Sequence, residues 1–293
     1  MRLLLLTSFT MIAFAANSVL TRGALETGSI DALSFALIRI LAGVVILLGL
    51  IAARREMRLI RESLDPLAAL GLLGYMLGFS FSYRTLETGL GALILFGGVQ
   101  ITMFLGAIKS GKKPLKLEWF GAAVAFLGLV ILLAPVGAKT SLIGMIFMIV
   151  AAVGWGTYSL KGMKARFPLV TTCANFSVAL PVVALVWLLM DTWAIGTKGL
   201  LLALVSGSVT SALGYALWYS VLPKLQTTTA AMAQLTVPVL AAFGGFIVLS
   251  EPATLAFLIS SALVLGGVGI SVWASNRELW GSALTYINQF CLC

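Results

Sequence analysis

The stretch from Asp31 to Ala53, DALSFALIRILAGVVILLGLIAA, decides the fold of this 293-residue chain. It is apolar, it is longer than the roughly 20 residues a helix needs to cross a bilayer, and one charged side chain, Arg39, lies deep inside it. All other Lys, Arg, Asp and Glu residues fall at the ends of apolar stretches or between them. Composition agrees: 60% hydrophobic and 10% charged, with mean hydropathy +1.09. A soluble globule would carry roughly 25% charged residues. The expected class is therefore all-α: a polytopic membrane protein.

Working outward from that stretch, long apolar runs with short polar breaks recur. Ten spans are predicted, over 3–21, 31–53, 66–84, 89–108, 117–135, 141–160, 170–190, 199–222, 228–249 and 253–274. Cations between spans assign the sides, because positive loops resist translocation. One side carries 14 Lys and Arg residues and the other 4, namely Arg22, Arg84, Lys139 and Lys198. Acidic residues divide evenly, so the bias is one of cations alone. Both termini are expected in the cytoplasm, in a multi-pass protein of the plasma membrane (a bacterial inner membrane). The pI near 9.7 then reflects short cytoplasmic loops and no nucleic-acid partner. Met1 to Ser18 has signal-peptide features, with Ala13-Phe14-Ala15 as a cleavage site; the repeat described next needs the first helix and speaks against cleavage.

The halves of the chain resemble each other. Ala13-Phe14-Ala15-Ala16-Asn17-Ser18 matches Gly154-Trp155-Gly156-Thr157-Tyr158-Ser159, and Phe81-Ser82-Tyr83 matches Leu217-Trp218-Tyr219. Lys113-Pro114 pairs with Glu251-Pro252, and Gly128 with Gly266. Five spans per half is an odd number, so the second half enters the membrane from the opposite side, as an inverted repeat of the kind transporters use to hold a solute near the midplane. Residues 1–137 form the first repeat, 138–276 the second, and 277–293 a tail that either lies along the interface or is a frameshift remnant. The tail's Cys291 and Cys293 fit neither a metal nor a prenylation pattern. Cys173 reads as a small buried hydrophobe.

These segments, above all AFAANS, GWGTYS, the first-half FSYRTLETGLGALILFGGVQ and the run GYALWYSVLPKLQTTTAAMAQLTVPVLAAFGGFIVLSEP, resemble the drug/metabolite transporter superfamily and within it the ten-helix EamA-type exporters. The resemblance covers about 275 residues. It implies a cavity lined by Asn17, Tyr83, Gln100, Tyr158, Tyr219 and Gln234, with Phe14, Trp155 and Trp218 as flat walls. The competing reading places the aromatics in an interfacial belt and lets the amides bond across helices. One departure stands out: Thr102 occupies the place in span four where Pro238 stands in span nine, so the two halves are expected to flex unequally.

Arg39 lies eight residues past Asp31, about 12 Å into its span. It either holds an anionic group through its guanidinium fork or serves as a structural or gating charge. No span interior holds Asp, Glu or His, which argues against proton-coupled cation antiport unless Glu87 or Glu251, both near outer span ends, reach into the cavity. With no His in the chain, Ser-His-Asp and Cys-His sites are excluded, and no metal site or cofactor is expected. Gly121, Ala125, Gly128 and Gly266-Gly267-Val268-Gly269 read as helix-packing surfaces, with a homodimer contact as one use. The partners expected are a small-molecule substrate and the lipid bilayer. The leading expectation is export of small metabolites, amino acids first, by alternating access; efflux of drug-like or nucleobase-like compounds is the alternative. A scaffold or membrane enzyme comes last, for want of any convergent acid, base or metal cluster.

Overall fold

The computed structural model describes residues 2–109, 111, 115–133, 141–190, 193–225, 230, 233–252, 255, 257–267, 269–271 and 273–274. Lys113-Pro114, Thr227-Thr228-Thr229 at the start of the ninth predicted span, and the 277–293 tail with its two cysteines lie outside them. Among the described residues ten long helical runs follow one another: α1 (Arg2–Leu25), α2 (Ala32–Ala53), α3 (Pro66–Ser82), α4 (Thr88–Lys109), α5 (Lys116–Leu133), α6 (Leu142–Gly162), α7 (Pro168–Leu189), α8 (Thr197–Lys224), α9 (Thr236–Leu249) and α10 (Phe257–Ser271). Six stretches, lying in α1, α2, α4, α6, α7 and α8, are long and apolar enough to cross a membrane by length and composition. Among the described residues the only strand-type pairing is an isolated antiparallel bridge between Ile30 and Ile195.

The sequence sets the helix starts. Asp31 accepts from Leu33 and Ser34 N–H at 3.0 and 2.8 Å, and Asp65 from Leu67 and Ala68 N–H, each satisfying backbone donors that a helix start leaves open. Pro66 and Pro168 stand in first turns, where the missing N–H costs nothing. The Thr102 and Pro238 asymmetry has a local cause. Thr102 Oγ1 donates back to Gly98 O at 2.9 Å and α4 runs unbroken, whereas α9 begins at Thr236, two residues before Pro238.

Helices approach each other most closely where both lack a side chain. A Cβ on Gly71 would lie 2.8 Å from Gly154 O, and one on Gly154 would meet Gly71 O and come within 2.7 Å of Tyr75 N. Thus α3 and α6 touch backbone to backbone, the usual way apolar helices gain contact when lipid supplies no hydrophobic drive. Gly121 and Gly267 do the same between α5 and α10: a Cβ on Gly267 would sit 2.5 Å from Gly121 O. The glycines read from sequence as packing surfaces are thus used within the chain at Gly121, Gly128 and Gly267, while Gly266 and Gly269 face open space.

The helix contacts follow a pattern. Helix α3 packs on α6 and α1 on α8; α4 on α6 and α1 on α9; α2 on α8 and α3 on α7. Adding five to each helix number in the first half, and subtracting it in the second, carries each of these pairs into its companion. The same exchange leaves α2 on α7, α4 on α9 and α5 on α10 unchanged.

Among the described residues, loop contacts join segments that cation counting places on the same side. Gly196 N–H donates to Ser29 O at 2.6 Å and Asp31 N–H to Ala194 O at 3.0 Å. Arg22 meets Glu251 at 3.3 Å, on what is termed here the Glu251 rim. On the opposite, Arg2 rim, Lys161 meets Asp65 at 2.9 Å.

Candidate functional site: a polar network between the two halves

Midway along α8 the backbone widens into a π-helical segment, Ser206–Leu213. Such segments turn side chains out of the ordinary helical register and recur at functional sites. Gly207 allows it here, because a Cβ would lie 2.8 Å from Arg39 Cα, so α8 lies directly against the backbone of α2. Ser206, Thr210 and Ser211, all buried, then face the first half of the chain.

Two side chains of the first half receive them. Asn17 Oδ1 accepts from Ser206 Oγ at 2.7 Å and Thr210 Oγ1 at 2.9 Å, while its Nδ2 donates to the Tyr75 hydroxyl at 3.3 Å. Arg39 donates through Nε to Ser211 Oγ at 2.7 Å, and through Nη2 to Tyr75 at 3.2 Å and to the Tyr215 hydroxyl. Tyr215 in turn donates to Tyr75 at 2.8 Å. Asn17, Arg39 and Tyr75 from α1, α2 and α3 are thus bound to one face of α8, and all are buried.

Aromatic rings enclose this network. Phe14 lies edge-on to Trp155, Tyr215 and Trp218 at centroid distances of 5.1, 5.8 and 5.7 Å, and Trp155 packs on Tyr75 at 4.8 Å. Trp155 Nε1 donates to Gln234 Oε1 at 2.9 Å, and Gln234 Nε2 points to Met103 Sδ at 3.6 Å. Amides and aromatics predicted separately therefore meet.

The other predicted residues distribute along the axis. Gln100 is buried on α4, one turn from Met103. Toward the Arg2 rim the tilted rings of Tyr158 and Tyr219 lie 4.4 Å apart, Tyr219 donates to Tyr158 O at 2.8 Å, and Trp218 donates to Ser159 Oγ at 3.2 Å. Tyr83 sits at the opposite end, capping α3 and donating to Thr88 O at 3.3 Å. Sequence reasoning missed Tyr75, Tyr215, Ser206, Thr210 and Ser211. A signal existed in the hydroxyl spacing of SGSVTSALGY, where Ser206 and Thr210, and Ser211 and Tyr215, lie four apart within one span.

The two ends differ. At the Glu251 rim the Glu251 carboxylate takes Thr88 N–H on both oxygens, at 2.9 and 2.8 Å, capping α4, and takes Arg22 Nε at 3.3 Å. Arg22 Nη1 donates to the carbonyls of Tyr83 and Arg84 at 3.1 and 3.3 Å. One carboxylate and one guanidinium thereby tie the ends of α1, α3, α4 and α9. Toward the Arg2 rim a groove of about 1040 Å³ opens between α1 and α9, lined by Leu3, Thr7, Met11, Leu235, Thr236 and Leu240 among others. Met11, which lines the groove, lies one helical turn from Phe14 of the aromatic enclosure.

Glu87, in the turn before α4, lines a small cavity of about 30 Å³ with Glu251. Burial, then the Glu251 carboxylate, push its pKa above the usual 4.5, with Arg22 opposing. The charged form is thus penalised where Glu87 faces Glu251, and proton uptake as pH falls toward the raised value is expected to hold this rim together. A fluorophore at Leu90→Cys is expected to lose quenching by added iodide as pH falls toward that value. Glu87→Gln should remove the pH dependence, and persistence of it would assign the effect elsewhere.

A bundle of apolar helices with a buried polar network at mid-span, closed at one rim and grooved at the other, is the build of a membrane transporter. The sequence matches the EamA-like transporter family over residues 1–134 and 142–273, and the chain belongs to that family. It is a multi-pass membrane protein and a transporter, not an enzyme. It is 38% identical over 270 residues to uncharacterized protein PA1977 of Pseudomonas aeruginosa, covering 92% of this chain and 94% of that protein. An uncharacterized transporter of Archaeoglobus fulgidus is 27% identical, with 92% and 97% covered. A probable amino-acid metabolite efflux pump of Escherichia coli is 24% identical over 69% of this chain and 76% of its own length. A solved crystal structure shares the fold with TM-score 0.63 at 20% identity, over 92% of this chain and 98% of that one.

Proposed function

We propose that this protein exports small metabolites, amino acids foremost, across the bacterial inner membrane by alternating access between two inverted five-helix repeats. The carrying observation is the mid-span network in which Asn17, Arg39 and Tyr75 of one half are hydrogen-bonded to Ser206, Thr210, Ser211 and Tyr215 of the other. A solute bound there touches both halves, so their relative motion exposes it to one side and then the other. The exchange symmetry of the helix contacts supports the repeat, and the shared sides of paired loops support the topology. The cation excess assigns the Arg2 rim to the cytoplasm. On that assignment the groove opens inward and the Glu251 rim is the closed outer gate.

Amino acids lead because amide and hydroxyl groups sit beside aromatic walls, which suits a small amphipathic solute, and because the Escherichia coli and Salmonella typhimurium relatives are named as amino-acid metabolite efflux pumps. The apolar lining of the groove favours drug-like compounds as the second reading.

Counterflow uptake in proteoliposomes tests the choice, with amino acids, nucleobases and cationic dyes in parallel and Gln234→Ala beside the intact protein. Saturable amino-acid exchange that falls at least about ten-fold in Gln234→Ala is expected, since loss of the amide leaves Trp155 Nε1 without its acceptor. Movement of dyes or nucleobases alone would replace the substrate class.

A further inference from the structure

We propose that Arg39 is the binding site for an anionic group of the transported solute, a carboxylate or equivalent oxyanion, and that cations are refused at this point. The inference rests on the transporter reading and narrows its substrate class.

Arg39 is fully buried. Among the described residues its neighbours are neutral: Ser211, Tyr75 and Tyr215 as acceptors, and the rings of Tyr75 and Phe79 with centroids 5.4 and 5.0 Å from Cζ. No acidic side chain stands within ion-pair distance among those residues. Nor does the sequence place one in any span interior, the ten acidic residues all lying at span ends or between spans. A buried guanidinium without a counter-ion is costly in a membrane protein, and neutral hydroxyls offset that only in part.

The pattern of its hydrogen bonds points the same way. Guanidinium offers five N–H donors in a planar fork. Nε and Nη2 are engaged, while Nη1 is buried and has no partner among the described residues. That leaves one edge of the fork open. The Nη1 and Nη2 edge matches the two oxygens of a carboxylate, and Nη2 is held by two phenols, one of which can yield to a stronger acceptor. Tyr75 and Tyr215 then act as stand-ins for the anion, bonded to each other as well as to Arg39. Because Tyr75 also accepts from Tyr215 of the other half, displacing it loosens the contact between the halves at the moment the solute arrives. The aromatic walls of Phe14, Trp155 and Trp218 supply a surface for an apolar body attached to that carboxylate.

The test uses the full chain in lipid nanodiscs and reads tryptophan fluorescence, Trp155 and Trp218 being adjacent to the site. The probes are amino acids, their N-acetyl derivatives, which keep the carboxylate and lose the ammonium, and their amides, which do the reverse. Free and N-acetylated members are expected to bind and the amides not. Arg39→Gln should weaken carboxylate binding by about ten-fold or more, and Arg39→Lys, which keeps the charge but loses the fork and guards against a variant that fails to fold, by less. Equal binding of amides, no response to any carboxylate, or unchanged affinity in both variants would overturn the assignment. Counterflow on the same preparations separates the two claims. Solutes that move equally well without Arg39 would leave the transporter reading intact and remove the anion site, whereas no movement of any solute would count against transport itself.

Discussion

Replacing Gly154 with leucine is expected to break the joint between α3 and α6. The added Cβ would meet Gly71 O and lie 2.7 Å from Tyr75 N. Both obstacles are backbone, so no rotamer change relieves them and the helices must part. Overpacking a joined core costs typically 1–3 kcal/mol, and the rigid neighbours place this case at the upper end. At about 3 kcal/mol, Tm in detergent should fall by roughly 10 °C. Function should suffer too, because Tyr75 carries its hydroxyl to Arg39 and Asn17 from this same turn of α3. Gly266→Leu serves as the comparison, a site with open space around it, and should melt with the parent. If Gly154→Leu also melted with the parent, the backbone contact would not be what joins the two helices.

Glu251→Ala is expected to open the rim it closes. The carboxylate is about nine-tenths buried and serves two purposes, capping α4 at Thr88 N–H and holding Arg22. Its removal leaves a helix start without its acceptor and leaves Arg22 with Glu26 at 3.5 Å as its remaining carboxylate among the described residues. Charge-assisted hydrogen bonds of this kind contribute about 1.5–3 kcal/mol each. Losing them should shift the balance between closed and open outer states by about ten-fold or more. A membrane-impermeant thiol reagent applied from outside should label Leu90→Cys correspondingly faster in the Glu251→Ala background. Unchanged labelling would make the ion pair a surface contact with no gating role.

Much of this was legible in the sequence, for reasons that differ by residue. Helix positions followed from the length of apolar runs, and the pairing of loops across the molecule followed from where cations fall. Lys161 with Asp65 and Arg22 with Glu251 each join loops placed on one side by that count. Arg39 and Asn17 stood out because polar groups inside a span need partners. The identity of those partners was hidden. Tyr75 and Tyr215 sit among apolar neighbours in the sequence, and the π segment is a backbone feature lying where Gly207 approaches α2. Tyr83 shows the converse: its type suits a binding site, but the end of α3 places it at the Glu251 rim. Residue type proposes a chemistry, and helix phase and depth decide whether that chemistry reaches the centre.

Alternating access around the Asn17, Arg39 and Tyr75 network requires each rim to open in turn, so locking the rims should stop transport. In a background without native cysteines, Arg22→Cys with Glu251→Cys, and separately Lys161→Cys with Asp65→Cys, would be bridged by a short bifunctional thiol reagent before counterflow is measured. Either bridge is predicted to stop exchange, with each unbridged variant still exchanging. Exchange that continues with both rims bridged at once would contradict the account, since the solute would then be passing by a route that does not require the two halves to move.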